Sequence, residues 1–304
     1  MQLLQQIING LMLGGILAFV AVAFTLTIGM LNFLNFTIPA LFMLAGMVSW
    51  AASSTGAHPL ALGWHWLPAM LLGIAVAVLA SLLIERFTYR YMKARFGDAT
   101  EHALPLVSSL GFLIIFEHLA MTLWSTDPQR FELPFKQTSV EWGGLIFGIP
   151  HMASLVMAVA LVALLNRILH KTRLGRALRA IAENPNASTL MGVEVQHIVP
   201  VVFVIAGVLS ALAGILYAAS YGTVTPFMGE AIATDAIAGM VLGGLGNIWG
   251  AIAGGLLVGL VKVLAISTFG AEIEKIPVWG LLLLILIVRP SGLFGHNKIG
   301  REKF

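Results

Sequence analysis

The chain is 304 residues long and 59% apolar, with only 10% Asp, Glu, Lys or Arg, against about 45–50% and about 25% in soluble domains. Polar residues that scarce cannot clothe a water-soluble globule, and a net charge of +3 is too dilute for a nucleic-acid-binding face. The absence of cysteine excludes disulfides, thiolate metal sites and cysteine nucleophiles. What remains is a polytopic membrane protein.

A helix needs roughly 20 apolar residues to cross about 30 Å of hydrocarbon. By that measure the predicted spans are 6–30, 36–54, 67–87, 104–125, 145–168, 198–219, 232–247, 250–268 and 277–290. The seventh and last runs are short, so either is a partial span or a broken helix. The expectation is an all-α transmembrane bundle of about 8–9 spans forming a single transmembrane domain over 1–304. Leu31-Asn32-Phe33-Leu34-Asn35-Phe36, with Pro39 just beyond, is the predicted site of a helix break. No Lys or Arg precedes the first charged residue, Glu85, so no cleaved signal peptide is expected.

Thirteen of the seventeen basic residues fall in three blocks: Arg86 to Arg95, Arg167 to Arg179, and Arg289 to Lys303. Basic loops stay in the cytoplasm. The loops around 55–66, 220–231 and 269–276 hold only Lys275, and 126–143 is mixed, so these four segments are predicted to face outward. Parity then places the N-terminus outside and the C-terminus in the cytoplasm.

Small residues four apart line one helix face and let backbones approach closely in lipid. Gly10, Gly14 and Ala18 show that spacing, as do Gly246, Gly250 and Gly254, and Gly255 and Gly259. Tight helix packing is the plain reading. A narrow conduit between sliding helices is compatible with it. Three charges fall inside runs: Glu117, Asp235 and Lys262. A charge at membrane depth raises a functional role, but Asp235 reads as the opening of the seventh helix, where it satisfies free N–H groups. Glu117 and Lys262 have structural readings too, as partners within the bundle or near its edge.

One long basic segment, about 170–197, carries two short helices in its pattern. Leu174, Ala177, Leu178 and Ile181 recur at helical spacing among Arg173, Arg176 and Arg179. Asn184 then fits an N-cap, Pro185 the first helical position and Gly192 the stop. The predicted stub, 185–191, is roughly 10 Å long. A solvated connecting loop would also be basic. The alternative is a knob that docks into a cytoplasmic partner through Leu190 and Met191, with the arginines as its rim.

In order and spacing, four stretches make the chain resemble the permease subunits of branched-chain amino acid ABC importers, the LivH family. They are Gly29-Met30-Leu31-Asn32-Phe33 with Met43-Leu44-Ala45-Gly46; Arg179 to Asn184 with Ala187 and Met191-Gly192-Val193; Val241-Leu242-Gly243-Gly244-Leu245-Gly246 with Gly250-Ala251 and Gly254-Gly255; and Arg289 to Gly295. The resemblance implies that Arg179, Glu183, Asn184, Pro185, Ala187, Leu190, Met191 and Gly192 couple the chain to an ATPase. It points to Asn32, Asn35, Gly243, Gly244 and Gly246 for the translocation path. It implies two ATP-binding subunits, a second related permease, a periplasmic substrate-binding protein and the membrane lipid as partners. Where family members commonly continue Asn-Phe with Ala-His-Gly, this chain has Leu34-Asn35-Phe36, a larger surface without imidazole.

The chain has no Gly-x-x-x-x-Gly-Lys-Ser/Thr phosphate loop. It is therefore expected to carry no cofactor itself, with ATP and Mg²⁺ on the partners, and to be no enzyme. Its eight histidines are dispersed without an i, i+4 metal pair, so no metal site is expected. The rival reading is an ion-coupled secondary transporter of a small solute, which would need an ion site near the midplane beside broken helices.

Overall fold

In a computed structural model the protein is described over residues 2–31, 33–56, 58–91, 103–131, 139–142, 145–183 and 185–295. Eleven α-helices are described: α1 Gln2–Leu31, α2 Thr37–Ser53, α3 Trp66–Ile84, α4 Ala103–Trp124, α5 Ile149–Lys171, α6 Arg173–Glu183, α7 Pro185–Leu190, α8 Val195–Tyr221, α9 Met228–Gly243, α10 Ile248–Phe269 and α11 Lys275–Val288. A π turn, Glu85–Arg90, extends α3, and a 3-10 turn, Ala271–Ile273, precedes α11.

The long apolar runs fold as helices because no water is available in hydrocarbon to satisfy a free backbone. Among the described residues, five stretches are long and apolar enough to cross a membrane: Leu3–Met30, Trp66–Arg90, Leu104–Trp124, Val195–Tyr221 and Ile248–Phe269. The all-helical expectation needs a correction. Four short strands are also described: β1 Gln129–Arg130, β2 Ser139–Trp142, β3 Leu145–Gly148 and β4 Thr223–Val224. The run expected to cross from 145 opens as β3, paired antiparallel with β2, and its helix starts at Ile149 after Gly148 with Pro150 in the first turn. Proline there gives up no needed donor.

α1 runs through the centre. Its Gly10, Gly14 and Ala18 meet Gly255, Leu256, Gly259 and Leu260 of α10. A Cβ placed on Gly14 would lie 2.7 Å from Leu256 Cα. The small-residue spacing read from the sequence is thus a backbone-to-backbone crossing. Around it pack α2, α8 and α9. α2 has every residue from Thr37 to Ala52 buried, and its 17 residues span only about 25 Å.

The segments predicted to share the outward side meet at one end of the bundle. β1 pairs antiparallel with β4, joining the segment after α4 to the segment after α8. Trp124 Nε1, at the end of α4, donates to the Pro59 carbonyl at 2.9 Å. The other end gathers the chain breaks. The glycine loop after α9 is capped there by residues 291–295: Leu293 N donates to Leu242 O (2.9 Å) and Phe294 N to Gly243 O (3.0 Å). Asn247 both caps α10 by accepting from Gly250 N (3.2 Å) and donates to Phe294 O (2.9 Å).

Candidate functional site

The stub is built by local chemistry on either side of it. Thr172 separates α5 from α6: its hydroxyl donates to Ile168 O and accepts from Gly175 N at 3.1 Å, and its carbonyl accepts from Arg176 N. α6 turns Leu178 and Ile181 into the core and leaves Arg173, Arg176 and Arg179 exposed. α7 follows from Pro185 to Leu190, one residue shorter than the predicted stub. Its end is closed by Val193 N donating to Ser188 O and Gly192 N to Thr189 O, both at 3.0 Å, with Gly192 at φ +84°. That is the paired carbonyl closure in which a left-handed glycine ends a helix.

The closure leaves two apolar side chains in the open. Leu190 is 89% and Met191 85% exposed, more than any other large hydrophobic residue described. Ala187 is exposed beside them. Glu183 and Pro185 are the last residue of α6 and the first of α7, while Asn184 lies outside the described residues.

The residues assigned to the translocation path gather at the end of the breaks. Asn35 is buried, and its side-chain oxygen accepts from Thr37 N (3.0 Å) and Thr37 Oγ1 (2.6 Å), which starts α2. Phe36 N donates to Ser109 Oγ of α4 at 3.1 Å. Gly243 and Gly244 are committed to close packing: Gly243 abuts Gly250, and a Cβ on Gly244, at φ +106°, would lie 2.6 Å from Gly295 N. Gly246 is exposed and faces Gly29, whose added Cβ would sit 3.4 Å from Gly246 Cα. Asn32 lies outside the described residues. Three of the four stretches read from the sequence therefore touch one another.

The intramembrane charges are arranged differently from expectation. Asp235 does not open a helix, because α9 begins seven residues earlier at Met228. Gly229 lets α9 start there by packing on the Pro39 backbone. Asp235 is instead 2% exposed, and its Oδ2 accepts from Lys262 Nζ at 2.6 Å. Lys262 also reaches Glu274 Oε1 at 3.3 Å. Lys262, read as a partner within the bundle or near its edge, thus pairs with Asp235 and with a loop carboxylate, Glu274. Glu117 stands apart: it is buried, and its Oε1 has no hydrogen-bond partner among the described residues. Its neighbour His118 faces outward and donates from Nδ1 to Ile114 O at 2.9 Å.

Compared with known proteins, residues 6–288 match the family described as branched-chain amino acid transport system / permease component. The chain belongs to this family. It is 30% identical to the high-affinity branched-chain amino acid transport system permease protein BraD of Pseudomonas aeruginosa, over 97% of both chains. It is 28% identical to LivH of Escherichia coli K12, a permease protein of the same description, over 97% of this chain and 96% of that one. The ribose import permease protein RbsC of Bacillus subtilis is 31% identical over 60% of this chain and 58% of its own. No solved structure matches. The sequence reading allowed Lys262 a partner within the bundle but did not name Asp235 or Glu274 as that partner.

Proposed function

We propose that the chain is the membrane-spanning permease of an ATP-driven importer. It moves branched-chain amino acids or related small carboxylated solutes into the bacterial cytoplasm by alternating access. The observation that carries this reading is α7: a capped helix standing outside the bundle with Leu190 and Met191 almost fully exposed. A turn between two spanning helices needs neither caps nor a bare apolar tip, whereas a docking knob needs both. Each permease seats its α7 on one of two ATP-binding subunits, with Arg179, Glu183, Asn184, Pro185, Ala187 and Gly192 around the contact. ATP and Mg²⁺ bind there, on the partners, and hydrolysis belongs to them. A second related permease completes the pathway, and a periplasmic binding protein delivers the solute.

On this reading the whole chain is one domain of 8–9 spans in the inner membrane. The end carrying α7 and the C-terminus is cytoplasmic and the N-terminus periplasmic. The breaks at 33–36 and 243–247, with Asn32, Asn35, Gly243, Gly244 and Gly246, form the cytoplasmic gate of the path. Contact between Gly29 and Gly246 supports this, because it sets the end of α1, which leads into the first break, against the second. A self-satisfied Lys262 triad supports an ATP-driven over an ion-coupled mechanism, since its charges are committed to one another.

The test is purification of the tagged chain from its native host in mild detergent, with mass spectrometry of what stays bound. Two Walker-type ATPases and a second permease are expected. Leu190→Asp is expected to lose the ATPases while remaining in the membrane. A chain that emerges alone would overturn the importer and favour the secondary transporter.

A further inference from the structure

Beside the main core lies a separate cluster of Phe33, Ile84, Val199 and Phe203, with Tyr89, Phe112 and Val195 packed against it. Phe33 stacks on Tyr89 at 5.8 Å between ring centroids, and Tyr89 meets Phe203 at 6.2 Å. These three rings come from three irregular places. Phe33 is in the break between α1 and α2, Tyr89 is in the π turn that extends α3, and Phe203 follows Pro200 in α8. Pro200 cannot donate to the Gln196 carbonyl, so α8 lacks a ladder bond one turn before Phe203. The π turn widens α3 at the same level, a departure that recurs at functional sites.

Just past Phe203, α8 is clamped. Ser81 Oγ of α3 donates to the Phe203 carbonyl at 2.8 Å, and Gly207 brings α8 close against Ser81. The first turn of α8, Val195 to Val199, therefore lies between two fixed points: the stub, joined to it by residues 191–194, and the Ser81 clamp. A displacement of α7 moves this turn about the weakened Pro200 position. Closely packed rings do not compress, so that movement pushes on Tyr89 and through it on Phe33.

We propose that Phe33 and Tyr89, backed by the clamped ring of Phe203, are positioning residues that relay movement of α7 to the break at 33–36. This rests on the importer reading, since it is ATPase closure that moves α7. The rings set whether a turn of the ATPases reaches the gate.

The chain has no cysteine, so a single reporter can be placed at the break without background. The assembled complex carrying Leu34→Cys, in proteoliposomes, is treated with a hydrophilic maleimide, with and without ATP and vanadate, and ATP hydrolysis is followed in parallel. Expected is a labelling rate that changes on trapping with ATP. In Tyr89→Ala the ATP-dependent difference is lost while hydrolysis continues, and Tyr89→Phe restores it. A purely structural role would not separate the two readouts. If Tyr89→Ala does not assemble, Phe33→Leu and Phe203→Leu keep the bulk but not the stacked rings, and the same loss is expected of them. An ATP-dependent difference that survives in the assembled ring variants, or is absent from the parent, overturns the relay. A parent complex without ATPases overturns the importer reading itself, and the relay with it.

Discussion

The two ends of the bundle are held by opposite means. At the end of α7, glycines pack backbone on backbone, Gly244 against Gly295 and Gly29 beside Gly246, next to three contacting aromatic rings. At the far end, a partly buried lysine is held by two carboxylates, of which Asp235 is buried, and two short strands pair across the loops. Packing contacts are weak individually and need close fit. A buried charge is costly unless its partner is in place. The first end can shift between closely related packings, and the second is all or none. An importer that opens its two ends in turn would be driven from the end that can repack, where α7 also stands.

The largest expected effect is at the ionic end. Asp235→Ala leaves Lys262 with only the longer Glu274 contact, and removing one partner of a buried pair costs roughly 3–5 kcal/mol. A fall in the thermal midpoint in detergent should show it. The double variant Asp235→Ala, Lys262→Met should recover most of that loss, because no unpaired charge remains. If the single variant melts like the parent, the contrast between the ends is lost.

A smaller loss is expected from Gly14→Val. The α1–α10 crossing has no room for the side chain, and overpacking costs typically about 1–3 kcal/mol. Its midpoint should fall while Gly111→Ala, where an added Cβ meets nothing within 4 Å, should change little. Smaller again is Gly192→Ala. Left-handed backbone costs a residue with a Cβ roughly 1–2 kcal/mol. Because α7 stands apart from the core, the effect should appear as faster hydrogen exchange over 187–193 and weaker ATPase retention, with the global midpoint nearly unmoved. Smallest for stability is Leu190→Asp, at an exposed position where a change within about 0.5 kcal/mol is usual. Loss of the ATPases with an unchanged midpoint would sharpen the comparison most.

Much of the architecture was legible because lipid imposes a simple rule. Runs long enough to cross become helices, and Pro185 and Gly192 delimit α7 by local backbone chemistry alone. The position of Asp235 was misread because the short apolar run was taken to begin at Ile232, which put Asp235 in its opening turn, whereas α9 begins at Met228, where Gly229 fits against Pro39. The hairpin of β2 and β3 was hidden by apolar residues whose spacing does not tell a short strand from the start of a helix. Asn35 looked like a path residue, and its observed hydrogen bonds to Thr37 are two residues away, a local contact the sequence could have offered.

Composition, apolar run length and helix-stop residues by themselves determined that this is a membrane protein of long helices with a capped, basic-flanked stub. Each of those depends only on the chain and its solvent. Which charge finds Lys262, which rings meet at Tyr89 and which glycines touch were decided by the tertiary structure alone. Those contacts join residues far apart along the chain, such as Gly10 and Gly259, 249 positions apart. Their geometry depends on the rotation and depth of whole helices, and no local pattern encodes either.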